Sequence, residues 1–349
     1  MNKFLTEIME QPDSLEATLQ YYLTGQGEKK LKNVRDLFRK ENFQKVVFTG
    51  MGSSYFTSHA ASCLFNSLGI HSYVVNASEL LYYHFSLVTD KTLIVCISQS
   101  GESYEVVKLL KKLPQNVYCV GICNEEKSSL TTKAKESLLS KAGREEMTST
   151  KTYTSMTLVA FILGWFLANV WDNDKISLVE KLISETRQLL TSYEDLIDRQ
   201  FDFLGDVEFL QFIGRGPSFS TALQSELMFK EAARLPASAT LGGEFRHGPM
   251  EMVKPGFKSV IFAAGETYSQ SIKMAADIAK YKGKVIIITN QNPQVSDENI
   301  SIVTVNQPDE YLFTVQSIIP VQLMVNNLAL AKGLVPGKFV NGGKVTLSE

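Results

Sequence analysis

The chain carries almost no excess of charge of either sign: 35 basic residues face 37 acidic ones, a formal net charge of −2 over 349 residues. Binders of nucleic acid or of anionic membrane surfaces usually show a basic surplus, so neither partner is expected. The N-terminus, Met1-Asn2-Lys3-Phe4-Leu5-Thr6-Glu7, lacks the long apolar core of a secretory signal. The longest apolar stretch, around residues 158–170, is interrupted by Gly164 and Asn169. It is too short and too mixed to span a bilayer and predicts a buried helix. Cysteine is scarce as well, with only Cys63, Cys96, Cys119 and Cys123. Three of these lie in apolar runs that read as strands or their ends, which predicts core packing. Cys119 and Cys123 have no partner Cys or His pair at zinc spacing, so no metal site is expected. A reducing, cytoplasmic location fits this usage.

What is present is a soluble composition, 44% apolar and 21% charged, in a chain long enough for two ordinary domains. The first forty residues read as helical, with Leu15, Leu19 and Leu23 on one face. Val46-Val47-Phe48 then runs into Thr49-Gly50-Met51-Gly52-Ser53-Ser54. That is a strand, a tight glycine turn and a helix start with serine at a capping position. Further strands are predicted over residues 73–75, 93–97 and 117–122, with helical spacing over 54–69 and 103–113. Such alternation argues for a parallel sheet covered on both faces.

The second half repeats the first. Phe48-Thr49-Gly50-Met51-Gly52-Ser53-Ser54-Tyr55 matches Phe212-Ile213-Gly214-Arg215-Gly216-Pro217-Ser218-Phe219, and residues 97–103 match 261–267. Both glycine signals share one offset, 164 residues (214 − 50 and 265 − 101). Two copies of one α/β fold are therefore predicted. They are joined by a helical stretch that follows Trp171-Asp172-Asn173-Asp174 and continues over residues 176–206.

The loop after the third strand, Ser98-Gln99-Ser100-Gly101-Glu102-Ser103, offers hydroxyls, an amide and backbone N–H groups at a helix start. Ligands of open parallel sheets sit beyond the carboxyl ends of the strands, and donors of this kind suit a phosphate. The loop has no lysine and is not a triphosphate-binding Walker loop, so a small phosphomonoester fits better. An ordinary capped helix start would also use Ser, Gly and Glu here. Copy two keeps Gly265-Glu266-Thr267 but replaces the donors by Phe262, Ala263 and Ala264. The turn survives twice and most donors once, which predicts an occupied site in copy one and a vacated one in copy two.

Five motifs in order resemble the SIS (sugar isomerase) domain: Gly50-Met51-Gly52-Ser53-Ser54-Tyr55; residues 97–103; Ser149-Thr150-Lys151 with Thr154, after Ala142-Gly143-Arg144-Glu145; Gly214-Arg215-Gly216; and Gly243-Glu244-Phe245-Arg246-His247-Gly248-Pro249. The pair is similar to the isomerase half of glucosamine-6-phosphate synthase. The segments Phe245-Arg246-His247-Gly248-Pro249 and Met147-Thr148-Ser149 also resemble the tagatose-6-phosphate ketose/aldose isomerase group, which includes amino-sugar-phosphate deaminases. The resemblance implies an α/β fold of two tandem SIS domains, each a flavodoxin- or Rossmann-like three-layer sandwich. The expected layout is a helical segment over 1–40, domains over 41–172 and 173–335, and a tail over 336–349 that covers the active site.

By the same resemblance Ser54, Ser98, Gln99, Ser100 and Ser103 would bind the phosphate, with Ser53, Ser149 and Lys151 as further substrate contacts. Glu231 would move a proton between C1 and C2. His247 would open the sugar ring, reaching the site of a partner subunit in a homodimer, and Lys344 would engage the open-chain carbonyl. No metal or organic cofactor is implied. The chain also departs from the synthase. Met228 stands where that helix carries a second lysine, Gln224 replaces a glutamate, and the segment 142–151 is one residue shorter. No glutaminase segment or N-terminal cysteine precedes the pair, so glutamine-dependent synthesis is not expected.

Aldose–ketose isomerisation needs an acid/base at the ring oxygen, a carboxylate over C1 and C2, and fixed donors for the enediol charge. The expected function is that isomerisation of a hexose- or hexosamine-6-phosphate, with or without amine release. A fructosamine-6-phosphate deglycase and a non-catalytic sugar-phosphate sensor are the alternatives. Read from the residues alone, Glu231 is also an ordinary surface helix residue beside Lys230 and Arg234, Lys344 a solvated tail lysine, and His59 a structural histidine.

Overall fold

Short runs of β-branched and aromatic residues bounded by glycine turns become the strands. The computed structural model describes residues 1–191 and 193–348. These divide into two compact units: Glu10–Glu180 together with the chain from Val340 onward, and Met1–Met9 together with Lys181–Phe339. The first helix, Lys3–Met9, thus packs with the second copy, and the C-terminal tail with the first.

The first unit holds β1 (Lys45–Thr49), β2 (Ser72–Val74), β3 (Thr92–Ser98), β4 (Tyr118–Cys123) and β5 (Glu136–Leu139). They form one sheet in the order β2-β1-β3-β4-β5, parallel throughout. All of β3 is buried, as expected of a strand covered on both faces. The second unit holds β6 (Leu210–Gly214), β7 (Ala237–Leu241), β8 (Lys258–Ala263), β9 (Lys284–Thr289) and β10 (Ile300–Thr304). Its order, β7-β6-β8-β9-β10, repeats that of the first sheet strand for strand. In this topology the chain leaves its first strand toward one edge and later returns to the other side of it. The crevice lies where that reversal occurs, beyond β1 and β3 in one unit and β6 and β8 in the other.

Each unit is built around an apolar helix. In the first, Lys151–Leu167 is buried along its whole length, as predicted from its apolar run. Gly164 lets the helix approach Phe65, since a Cβ there would lie 2.8 Å from the ring edge. In the second, Glu310–Ala331 is the one helix among the described residues long and apolar enough to cross a membrane, and 94% of its apolar window is buried inside the protein.

Two further elements complete this part of the first unit. β5, Glu-Ser-Leu-Leu, has no β-branched residue, and it pairs with β4 through backbone bonds that any sequence can make. A short helix, Ala77–Tyr82, follows β2, capped by the Asn76 side chain accepting from the Ser78 N–H (3.0 Å). Cys96, Cys119 and Cys123 are buried in β3 and β4, and burial pushes the Cys119 thiol up to about 12.

Candidate active site

The crevice of the first unit is bounded by the turn after β1 and the loop after β3. Gly50 lets them abut, since a Cβ there would lie 2.6 Å from the Ile97 carbonyl oxygen. In the 98–103 loop the backbone and the serines support each other. The Ser98 hydroxyl accepts from the Gly101 N–H (3.1 Å), and the Ser100 hydroxyl accepts from the Glu102 N–H (3.2 Å). A hydroxyl that accepts still keeps its own hydrogen to donate, so these bonds orient two donors without consuming them. Gly101 is left-handed, with φ +68°, and a Cβ there would lie 2.6 Å from that of Ser128. Only glycine fits that position.

Glu102 faces away from a phosphate role. Its carboxylate accepts from the backbone N–H (2.5 Å) and hydroxyl (2.8 Å) of Ser129, at the start of the helix Ser129–Lys133. A helix start is the favourable place for a negative charge, and the loop is tied down as a result. Ser103 occupies the capping position of the helix Tyr104–Lys112, yet its hydroxyl makes no capping bond. Ser103 is therefore not a side-chain cap of this helix. Ser53 and Ser54 open the helix Ser53–Ser67, with Ser54 buried.

In the second unit the corresponding crevice holds a side chain of its own. The Glu310 carboxylate lies against Gly265, where any methyl group would overlap it, and 3.8 Å from where a Cβ of Gly216 would be. Burial, together with the nearby Glu266 and Asp309 charges, holds its carboxyl above the ordinary value. An anion from the chain thus lies between the two glycine turns of copy two.

The tail returns to the first unit. Lys344 Nζ donates to Glu145 Oε2 (2.6 Å) and to the Met147 carbonyl (2.6 Å). The Tyr104 N–H, directly after the 98–103 loop, donates to the Thr346 carbonyl (2.9 Å). Glu145 is buried, and its Oε1 accepts from the Thr150 and Thr152 backbone N–H groups (2.9 and 3.1 Å) and from the Thr150 hydroxyl (3.1 Å). Its Oε2 also accepts from the Thr152 hydroxyl (2.5 Å). Burial alone would raise this carboxyl, but Lys344 and Thr152 outweigh it and hold the carboxyl below the usual value. Ser149 shares this cluster through Thr152 (3.0 Å). Lys151 is buried and its Nζ meets Glu10 Oε2 at 2.5 Å, so its charge is committed to the N-terminal helices.

Glu231 and His247 belong to the second unit. Glu231 is half-buried in a π-helical turn, Phe229–Ala233, that continues the helix Ser218–Met228. Such turns insert an extra residue and occur often at functional sites. Lys230, a neighbour that could have paired with Glu231, instead meets Glu226 one turn back. Met228 and Gln224, where the chain departs from the synthase, are both fully buried. His247 is exposed at the end of a short helix, Gly242–Arg246, rather than within a loop alone. That helix is anchored by buried Phe245 and by Arg246 paired with Asp277 (2.8 Å). Arg215 lies against Gly242, and burial beside Arg246 lowers its guanidinium below the ordinary value.

Residues 37–164 and 205–332 each match the SIS domain family. This chain belongs to that family. The SIS protein is 29% identical over 356 residues to the glutamine–fructose-6-phosphate aminotransferase (isomerizing) of Thermococcus kodakarensis, covering 99% of this chain and 58% of the relative. It is 30% identical over 354 residues to the Pyrococcus horikoshii protein of the same name, covering 99% of this chain and 57% of that relative. It thus spans little more than half the length of these curated relatives. The solved C-terminal domain of glucosamine-fructose-6-phosphate aminotransferase from Francisella tularensis superposes with a TM-score of 0.84 at 27% identity, covering 95% of this chain and 97% of that one. Tagatose-6-phosphate ketose/aldose isomerase from Escherichia coli shares the fold, with a TM-score of 0.83 at 20% identity, covering 96% and 94% of the two chains.

Two further residues of the SIS protein carry geometry at these sites. In the sequence Glu145 is marked only as an acidic residue shortly before Ser149-Thr150-Lys151. Glu310 follows Asp309, whose side chain caps the helix by accepting from the Tyr311 and Leu312 N–H groups (3.0 Å each), so in sequence it reads as an ordinary first-turn acid.

Proposed function

We propose that this SIS protein is a phosphosugar isomerase, interconverting the aldose and ketose forms of a hexose- or hexosamine-6-phosphate. The observation that carries this reading is the asymmetry of the two crevices. Copy one presents oriented serine hydroxyls under a lysine-bearing tail, whereas copy two meets its own Glu310 carboxylate at the same place. In the proposed reaction Ser54, Ser98, Gln99, Ser100 and Ser103 hold the phosphate. That remote binding energy orients the reacting carbons. His247 moves the proton of the C1 hydroxyl to the ring oxygen as the ring opens. Glu231 takes the proton from C2 of the open-chain aldose and returns it to C1 of the enediol, while the O2 hydroxyl proton passes to O1, and the ketose results. Lys344 stabilises the charge that develops on the sugar oxygen. The unit of catalysis is proposed to be a homodimer in which His247 serves the partner's site. No glutaminase activity is assigned to these residues.

The test is incubation with hexose, hexosamine and N-acetylhexosamine 6-phosphates in D₂O, with ammonia assayed in parallel. One substrate should exchange a C1 or C2 proton. Glu231→Gln should lose about 10²–10⁴-fold in that exchange while keeping its affinity for the sugar phosphate. Tight binding of a sugar phosphate with no exchange would instead indicate a sensor. Release of an amino acid from a phosphorylated fructosamine would indicate a deglycase.

A further inference from the structure

Glu145 is a carboxylate with 0% side-chain exposure, and removing such a group from water costs more than one hydrogen bond returns. The chain compensates in two ways. The segment after it folds back, so that Thr150 and Thr152 donate through both backbone and hydroxyl groups. The countercharge then comes from far along the chain, Lys344, 199 residues away. Residues 149–152 already supply donors to both carboxylate oxygens.

We infer that Glu145 is a positioning residue that holds Lys344, and with it the C-terminal tail, against the phosphate loop of the first unit. This rests on the isomerase reading for its catalytic consequence but not for the latch itself. An ammonium has three N–H donors. Glu145 and the Met147 carbonyl take two of those of Lys344, which fixes the direction of the third. The second pin, the Tyr104 N–H on the Thr346 carbonyl, sets the tail at the start of the helix that follows Ser103. A lysine held at two points on a tail held at two points is pre-organised to donate to a substrate oxygen. An untethered terminal lysine would have to be ordered in every catalytic cycle.

Hydrogen exchange of the full chain, without substrate, tests the latch. Glu145→Gln and Lys344→Met should each raise exchange of the Tyr104 amide, which pins the tail through the Thr346 carbonyl, by about tenfold or more. Glu145→Asp, which keeps the charge, should restore part of the protection. With a turned-over sugar phosphate, Glu145→Gln should lower kcat far more than it raises KM. The double variant should be no worse than Lys344→Met, because one interaction cannot be lost twice. Unchanged exchange in Glu145→Gln would overturn the inference, as would losses that multiply in the double variant. If Glu145→Gln does not fold, the exchange of Lys344→Met decides alone, and wild-type protection there overturns the latch. A wild-type protein that turns over no sugar phosphate would count against the isomerase reading, and the exchange result would still stand.

Discussion

His59 illustrates how burial settles what a side chain can do. It lies on the helix Ser53–Ser67 with its ring edge-on to Tyr55, the centroids 4.9 Å apart. Burial pulls its imidazole from 6.5 down to about 4, so the ring is neutral at pH 7. The unfolded chain takes up this proton more readily than the folded one. Its contribution to stability is therefore complete above about pH 6.5 and is lost as the pH falls toward about 4. Melting curves of His59→Gln across that window should lack about one proton's worth of slope relative to the wild type. An identical slope would mean that His59 is not the group responsible. Glu310 and Glu145 make the same point with carboxylates. Burial raises both, and beside the acids Glu266 and Asp309 the Glu310 carboxyl stays raised, while Lys344 and Thr152 bring the Glu145 carboxyl below its usual value.

At the scale of elements, the helix Lys151–Leu167 couples the site to the core. Its N-terminal end carries the Ser149–Thr152 cluster around Glu145, and its far end packs Gly164 on Phe65. Filling the Gly164 contact with a larger side chain must displace that ring. Gly164→Leu should destabilise the fold by about 1–3 kcal/mol in urea unfolding. An unchanged midpoint would show that the helix has room to shift. Strands β1 to β4 and this helix were legible in the sequence, because period and apolar run length are local properties. β5 and the π-helical turn at Glu231 were not. The first is recruited by an open edge of β4, and the second is an extra residue in a helix whose sequence reads as continuous.

Over the whole molecule, the duplication visible as a repeated glycine register reappears as one strand order used twice. The proposed assembly makes a prediction at this scale. If His247 serves the partner's site, Glu231→Gln and His247→Ala homodimers should each be inactive. Mixing them under subunit exchange should restore about a quarter of wild-type activity through mixed dimers with one intact site. Absence of recovery, despite exchange shown by mass, would place His247 in its own subunit's site or remove it from catalysis.

The sequence by itself determined the α/β class, the two copies, the glycine turns and the donor-rich loop of copy one. Each is written in neighbouring residues, through strand and helix period, glycine's left-handed freedom and the chemistry of serine. Only the tertiary structure decided what meets that loop and its counterpart. Lys344 reaches Glu145, and Glu310 reaches Gly265. Both pairings join residues distant in the chain, and in both a carboxylate, buried at Glu145 and half-buried at Glu310, is placed where local pattern gives no sign of it. Sequence position says little about which charge will be desolvated beside which partner, and that is what decides whether a crevice is left to a ligand or taken by the chain itself.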